Sequence, residues 1–413
     1  MDFEISEEAK MIQGLVRDFV VEQLKPLERG LLGRAADLSD AIMYLPPEKE
    51  QELIKMVRDM GLWGVNVPQE LGGAGLDTLG NCLVGEELAQ TIVPFSFGDV
   101  TPLLFECNEK QKEIYFSPVF NREKYPYLAS LARYGELSGG PPSTREMTAE
   151  KMDGYYILNG KKASFSQTGK DYFAIVFSIS VVRALNLIQG SLVQDSRITS
   201  GEAKKREGAS CFLVDKDTPG FTVGNGEEKA GWETRMRKPI YLNFEHCRVP
   251  AENILGEEGK AFSLAQKWLP SRRIVRGARC VGVSQRILDE CTIQAQTWTS
   301  FGQVISGRPS IQAALGDIAT NIHAARLMVY EAAWKADQGK PIKRESAMVK
   351  LFTTQMIHFV CDNASHIFAA PPYIAGLPME RFCRDAIAMS ATDFALQLQR
   401  NIIARDMLKG LKV

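Results

Sequence analysis

The chain has 413 residues, of which 45% are hydrophobic and 24% charged, a composition that excludes a disordered polymer or a small disulfide-stapled scaffold and leaves room for two or three domains. Forty-nine basic residues oppose fifty acidic ones, for a formal charge of -1. No block of like charge is present, which argues against a nucleic-acid binder that works by neutralising phosphates.

The longest basic cluster, Lys204-Lys205-Arg206, lies between Glu202 and Glu207 and reads as a solvated loop. The eight cysteines are scattered without a CxxC pair, which fits reduced, mostly buried thiols in a cytosolic protein. The acidic start Met1-Asp2-Phe3-Glu4 runs into a helical pattern, and no apolar run reaches the roughly 18 residues of a membrane span. Neither export nor membrane insertion is expected, and the placement is cytoplasmic.

Ser6 is a helix cap, with Glu7 and Glu8 in the first turn and Ile12, Val16, Phe19 and Gln23 at helical spacing up to Pro26. Leu53, Met56, Val57 and Met60 mark a second helix that Gly61 closes. The loop Pro68 to Gly75 breaks the pattern, and a further helix runs through Glu86, Glu87 and Leu88.

From about Ser130 to Phe244 the texture changes to short branched and aromatic runs: Tyr155 to Leu158, Tyr172 to Ser178, Cys211 to Val214 and Ile240 to Phe244. Asp153-Gly154, Asn159-Gly160 and Thr218-Pro219-Gly220 punctuate them as turns. Residues 179–207 form a long insertion with room for a short helix over Val182 to Leu192. After Pro250 the helical period returns. Ile311, Leu315, Ile318, Ile322, Ala325 and Val329 form one apolar stripe that ends at Gly339 and Pro341, and a final helix is expected from about Ala391 to Leu408.

Five local strings stand out: Phe244-Glu245-His246-Cys247-Arg248-Val249-Pro250-Ala251-Glu252-Asn253-Ile254-Leu255-Gly256 with Glu258-Gly259 after it; Asp215 to Gly220 with Phe221; the Tyr156 to Lys162 hairpin; the Pro68 to Gly75 loop; and Glu380-Arg381 with Arg384-Asp385. In this order and spacing they resemble the acyl-CoA dehydrogenase family over nearly the whole chain. The resemblance implies a multidomain α+β fold, with an N-terminal helical domain (1–129), a central β domain (130–245, insertion 179–207) and a C-terminal four-helix bundle (246–413). It also implies FAD held in an extended conformation between domains and at a subunit contact, and assembly as dimers or tetramers. The implied reaction is dehydrogenation of an acyl-CoA thioester. A carboxylate takes the α hydrogen as a proton, the β hydrogen leaves as hydride to the flavin, and an electron-transfer flavoprotein reoxidises the cofactor.

That chemistry needs a base within hydrogen-bond reach of a weakly acidic carbon, donors that meet the developing enolate charge, and a flavin ring flat against the β carbon. Aligned on Gln399 to Arg405, Asp393 falls at the family's catalytic glutamate. Its side chain is one methylene shorter, about 1.5 Å of reach, and a misplacement of that order costs roughly 10²-fold. Asp393 also reads as the cap of the helix that follows. Arg272 and Arg273 fall where other members carry an alternative base and a retained arginine. Arg272 stays cationic and is no base, yet it suits a substrate carboxylate; Arg273 suits a structural salt bridge as well as substrate. Tyr373 and Phe394 border the implied acyl pocket or simply pack.

The flavin motifs depart further. Ser164-Phe165-Ser166 replaces a Trp-Ile-Thr string, with Ser166 keeping the hydroxyl, and Arg133-Tyr134-Gly135-Glu136 replaces a Leu-Thr-Glu-Pro loop, with Gly140 at a serine position. Trp298 stands at an arginine that meets the FAD diphosphate, and an indole gives no bidentate cationic contact. Phe301, Gln312 and Gln399 are kept as cofactor residues, whereas Pro309 replaces a glutamine, Ala395 a threonine and Ala369-Ala370 a Gly-Gly pair. The four histidines form no metal motif. Together the residues favour an acyl-CoA dehydrogenase-like flavoenzyme acting on a branched, cyclic or substituted acyl-CoA, as a homo-oligomer or with a related second chain. The alternative is a flavin-poor, noncatalytic or partner-dependent subunit.

Overall fold

A computed structural model of the chain describes residues 5–35, 45–129, 147–166, 169–181, 208–225, 238–370, 374, 377–391 and 396–409. In chain order, four helices come first: α1 (Glu7–Phe19), α2 (Glu28–Ala35), α3 (Pro47–Asp59) and α4 (Thr78–Leu88). Two short helical pieces, α5 (Glu109–Gln111) and α6 (Ser117–Phe120), lead into strands β1 (Tyr125–Leu128), β2 (Met147–Lys151), β3 (Tyr155–Ser166), β4 (Tyr172–Val181), β5 (Ala209–Asp215), β6 (Phe221–Asn225) and β7 (Lys238–Pro250). The C-terminal part holds α7 (Ala261–Thr297), the hairpin strands β8 (Thr299–Ser300) and β9 (Gln303–Val304), then α8 (Pro309–Asp337), α9 (Lys343–Phe368), α10 (Pro378–Ala391) and α11 (Leu396–Lys409). Helices, a central sheet and a helical bundle thus follow one another as expected. No described helix is long and apolar enough to cross a membrane.

The chain divides into two compact units. The helical unit contains the described residues up to Val100 and from Trp268 onward; the β unit contains those from Thr101 to Lys267. In the helical unit the Ser6 hydroxyl accepts from the Ala9 amide at 3.2 Å and caps α1, which continues through a wider π turn (Val20–Leu24) into a tighter 3₁₀ turn (Lys25–Leu27) at Pro26. Helix α1 packs on α4, α4 on α8, α8 on α9, and both α10 and α11 on α9. The expected stripe of α8 delivers Ile318, Ile322, Ala325 and Val329 to the core, all fully buried or nearly so. Pro270 lies inside α7, where its missing N–H interrupts the hydrogen-bond ladder without ending the helix.

The β unit is a seven-stranded sheet in the order β1-β4-β2-β3-β7-β6, with β5 paired to β4. Strand β4 runs parallel to both β1 and β2 and antiparallel to β5, while β3 and β7 form a long antiparallel ladder. One face buries Tyr127, Met147, Tyr156, Phe212, Leu242 and Phe244 in a common core. Gly220 turns the chain at φ +86°, and a Cβ there would lie 2.2 Å from the Glu245 carbonyl oxygen, so only glycine fits.

Three expectations change. Asn159-Gly160 is no turn: it lies inside β3, where the register against β7 shifts between Leu158 and Gly160, a bulge that keeps Tyr156 to Lys162 in one strand instead of a hairpin. Residues 179–181 continue β4 instead of opening an insertion, because they pair with β2; the proposed helix over 182–192 and the rest of that insertion lie outside the described residues. Ala391 ends α10, and the final helix starts at Leu396.

Candidate active site

In the β unit, the strings that carry the family pattern close the domain. Asp215 accepts hydrogen bonds from the Tyr115 hydroxyl and Lys124 Nζ, both at 2.8 Å, and Asn253 donates to the Leu213 carbonyl at 3.1 Å. Glu258 accepts from the Tyr156 hydroxyl at 2.5 Å and from Lys151 at 2.8 Å, and these two donors hold its carboxyl below the usual range. Ser164, at the position where the resemblance expects tryptophan, is fully buried, donates its hydroxyl to the Leu128 carbonyl at 2.8 Å and bridges to Ala129. The site of the missing aromatic ring is therefore a sheet joint. Ser166 closes β3 opposite Lys238.

In the helical unit, Arg272 and Arg273 are neighbours on α7. Arg272 is half-buried with its guanidinium 5.0 Å from the centroid of the buried Trp268 ring, and Arg273 is buried. Gln399 is fully buried on α11, which packs on α9. On α10, Glu380 pairs with Arg384, and the buried Arg381 lies 3.9 Å from Asp385. Asp393, Tyr373, Phe394, Ala395, the 133–136 loop and Gly140 lie outside the described residues.

Phe301 and Gln312 come together at the corner between the β8–β9 hairpin and α8. Phe301 is 98% exposed at φ +52°, Arg308 stands 5.7 Å over its ring and donates to the Ser300 carbonyl at 3.0 Å, and Gln312 Nε2 donates to the Ser306 carbonyl at 3.0 Å. Trp298 at the foot of the hairpin is 58% exposed. This corner suits one end of an FAD. It offers an exposed aromatic face, the Gln312 amide, and in Arg308 a planar cation of the kind Trp298 cannot provide.

Two features go beyond the sequence reading. Lys350 is only 2% exposed and donates to the Met389 carbonyl in the last turn of α10, where a cation meets the negative end of the helix dipole. Its signal was a lysine three residues after Ala347 and three before Thr353, on the buried stripe of α9. Ala369, the C-cap of α9, adopts φ +64°, ψ −102°. A residue with a Cβ pays about 1–3 kcal/mol in such a region, and the family resemblance places glycine there. Ala369→Gly is accordingly expected to raise stability by about 1 kcal/mol, after the extra chain entropy of glycine is deducted. Urea denaturation followed by tryptophan fluorescence checks this; an unchanged or lower midpoint refutes it.

Comparison with known proteins reaches 99% of the chain. Residues 6–123 match the family described as acyl-CoA dehydrogenase, N-terminal domain, and residues 259–408 match acyl-CoA dehydrogenase, C-terminal domain. The chain is similar to the mitochondrial short-chain specific acyl-CoA dehydrogenase of Rattus norvegicus (29% identity, covering 99% of this chain and 92% of that protein). It is also similar to the (R)-benzylsuccinyl-CoA dehydrogenase of Thauera aromatica (30% identity, 99% and 97% covered). The solved structure of butyryl-CoA dehydrogenase from Megasphaera elsdenii superposes with a TM-score of 0.77 at 26% identity, over 99% of this chain and 100% of that one. These comparisons correct the cytoplasmic placement, since the rat relative is mitochondrial. Free, mostly buried thiols do not separate cytosol from mitochondrial matrix, and all eight cysteines are free. With both terminal domains matched in chain order and a 30% identical relative covered almost end to end, the chain belongs to the acyl-CoA dehydrogenase family.

Proposed function

We propose that the protein is a flavin-dependent α,β-dehydrogenase of a substituted, branched or cyclic acyl-CoA, with Asp393 as the base. The single observation that supports this most is the end-to-end match to acyl-CoA dehydrogenases, including one named for (R)-benzylsuccinyl-CoA. In this reading Asp393 takes the α proton, and its shorter reach is met by a substrate whose bulk brings the α carbon closer. Arg272, held against Trp268, pairs with a carboxylate on the acyl group, and Arg273, Tyr373 and Phe394 shape the acyl end of the site. Phe301, Gln312 and Arg308 hold one end of FAD, with Ser166 and Gln399 as further contacts. The chemistry that bound FAD supplies is acceptance of the β hydride. An electron-transfer flavoprotein takes the electrons onward.

A second reading has one observation in its favour. Ala369 occupies a glycine conformation and Trp298 an arginine position, which suits a flavin-poor subunit that borrows its cofactor contacts from a related chain. Absorbance and native mass spectrometry of the purified complex separate the two. The enzyme reading expects one flavin per subunit and dye reduction by at least one member of an acyl-CoA panel. Flavin still missing after FAD reconstitution, with a related second chain copurified, refutes it.

A further inference from the structure

Three cysteines that the proposed chemistry does not use come from three helices of the bundle: Cys291 on α7, Cys361 on α9 and Cys383 on α10. Helix α10 packs on α9. Cys361 lies between Val360 and the next buried position Ala364, one turn after Ile357, and Cys383 follows the buried Phe382, one turn after Met379 and three residues before Ala386. Both thiols therefore stand at the seam of the two helices, where they are in hydrogen-bond contact with each other. Both residues are half-buried, unlike the other six cysteines, which are buried. A seam position with partial exposure gives a small oxidant access to two sulfurs already in contact.

We propose that Cys361 and Cys383 are a reversible redox site, forming a disulfide that ties α9 to α10 when the protein meets a hydroperoxide. The two thiols are not equivalent. The hydrogen bond from Cys361 lowers the pKa of Cys383, whereas the same contact and burial push Cys361 up. Cys383, which accepts that contact, attacks first. Its sulfur takes one oxygen from hydrogen peroxide, giving a sulfenic acid and hydroxide. The Cys361 sulfur then attacks the sulfenic sulfur, its proton leaving with the departing hydroxyl group as water, and the S–S bond forms. Two thiols are oxidised, one peroxide is reduced, and two waters result. The ring so closed runs through the α9 cap at Ala369, so oxidation restrains the strained end of that helix.

The protein as purified, treated with a small excess of hydrogen peroxide, digested without reduction and mapped by mass spectrometry, tests the proposal. The expected product is a peptide linking Cys361 to Cys383, lighter than its two parts by two hydrogens and released by dithiothreitol. It is absent from Cys361→Ser and Cys383→Ser and retained in Cys291→Ser. A dominant Cys291–Cys383 link overturns the assignment, and so does conversion of Cys383 to sulfinic or sulfonic acid without the link. Survival of both thiols in reduced form at peroxide levels that oxidise exposed methionines overturns it as well. None of these readouts depends on flavin or acyl-CoA.

Discussion

Asp393→Asn is expected to lower turnover of the acyl-CoA substrate by about 10²–10⁴-fold, the range that a positioned general base contributes. Asparagine matches aspartate in size and keeps its hydrogen-bonding oxygen, yet it cannot accept a proton from carbon. Flavin content and the circular dichroism spectrum are expected to match the wild type, which separates a lost base from a lost fold. The measurement is dye reduction under saturating substrate. A variant that turns over at the wild-type rate would reduce Asp393 to its other reading, a cap for α11. A base elsewhere would then be required, and Arg272 is excluded because a guanidinium offers no acceptor for a proton.

Glu86→Ala is expected to cost about 3–5 kcal/mol of stability in the helical unit, the range for removing one partner of a buried ion pair. Glu86 is 4% exposed on α4 and is held by Arg326 Nε at 2.9 Å and the Tyr330 hydroxyl at 3.0 Å, both on α8. Arg326 also donates to Gln285 of α7 at 3.0 Å. Burial pushes the Glu86 carboxyl above its usual range, with Arg326 and Tyr330 opposing the shift. The helices approach so closely that a Cβ on Gly282 would lie 2.0 Å from the Glu86 carbonyl oxygen. Alanine at position 86 strands a guanidinium and a phenol in a tight seam. Glu86→Gln, which keeps an acceptor for Arg326, is expected to cost less than half as much. Trp63, Trp268, Trp298 and Trp334 all belong to the helical unit, so tryptophan fluorescence during urea unfolding reports on it. A loss below about 1 kcal/mol for the alanine variant would contradict the network's weight.

What was legible in the sequence follows from the range over which each signal acts. The Ser6 cap, the α8 stripe and the Thr218-Pro219-Gly220 turn are local patterns, and the structure keeps them. The family strings were legible for a different reason. Asp215, Asn253 and Glu258 each bond to residues about 40 to 110 positions away, and such joints tolerate few side chains. Asn159-Gly160 misled because a turn dipeptide and a bulge ask for the same residues, and only strand pairing decides between them. The burial of Glu86 and Glu87 was illegible, since a charge on an amphipathic helix reads as solvent-facing unless its distant partner is known, and that of Lys350 showed only in its place on the apolar stripe of α9. The site was legible least of all. Its departures from the family fall at positions such as Ser164, where serine in place of tryptophan makes sense only once the Leu128 carbonyl beside it is seen.

The Asp337 carboxylate at the end of α8 receives the Thr78 and Leu79 amides at the start of α4, at 2.7 and 3.0 Å, across a separation of 259 residues for the first of them. With the Glu86–Arg326 pair, 240 residues apart, it means that α4 leaves the ribosome with only the Asp77 cap on its Gly80 amide, its Thr78 and Leu79 amides unmet and its buried carboxylate unmatched. At cellular translation speeds those partners arrive roughly 10–50 s later. During that interval the nascent N-terminal helices present a half-finished surface, and their protection falls to whatever chaperone stands at the exit tunnel.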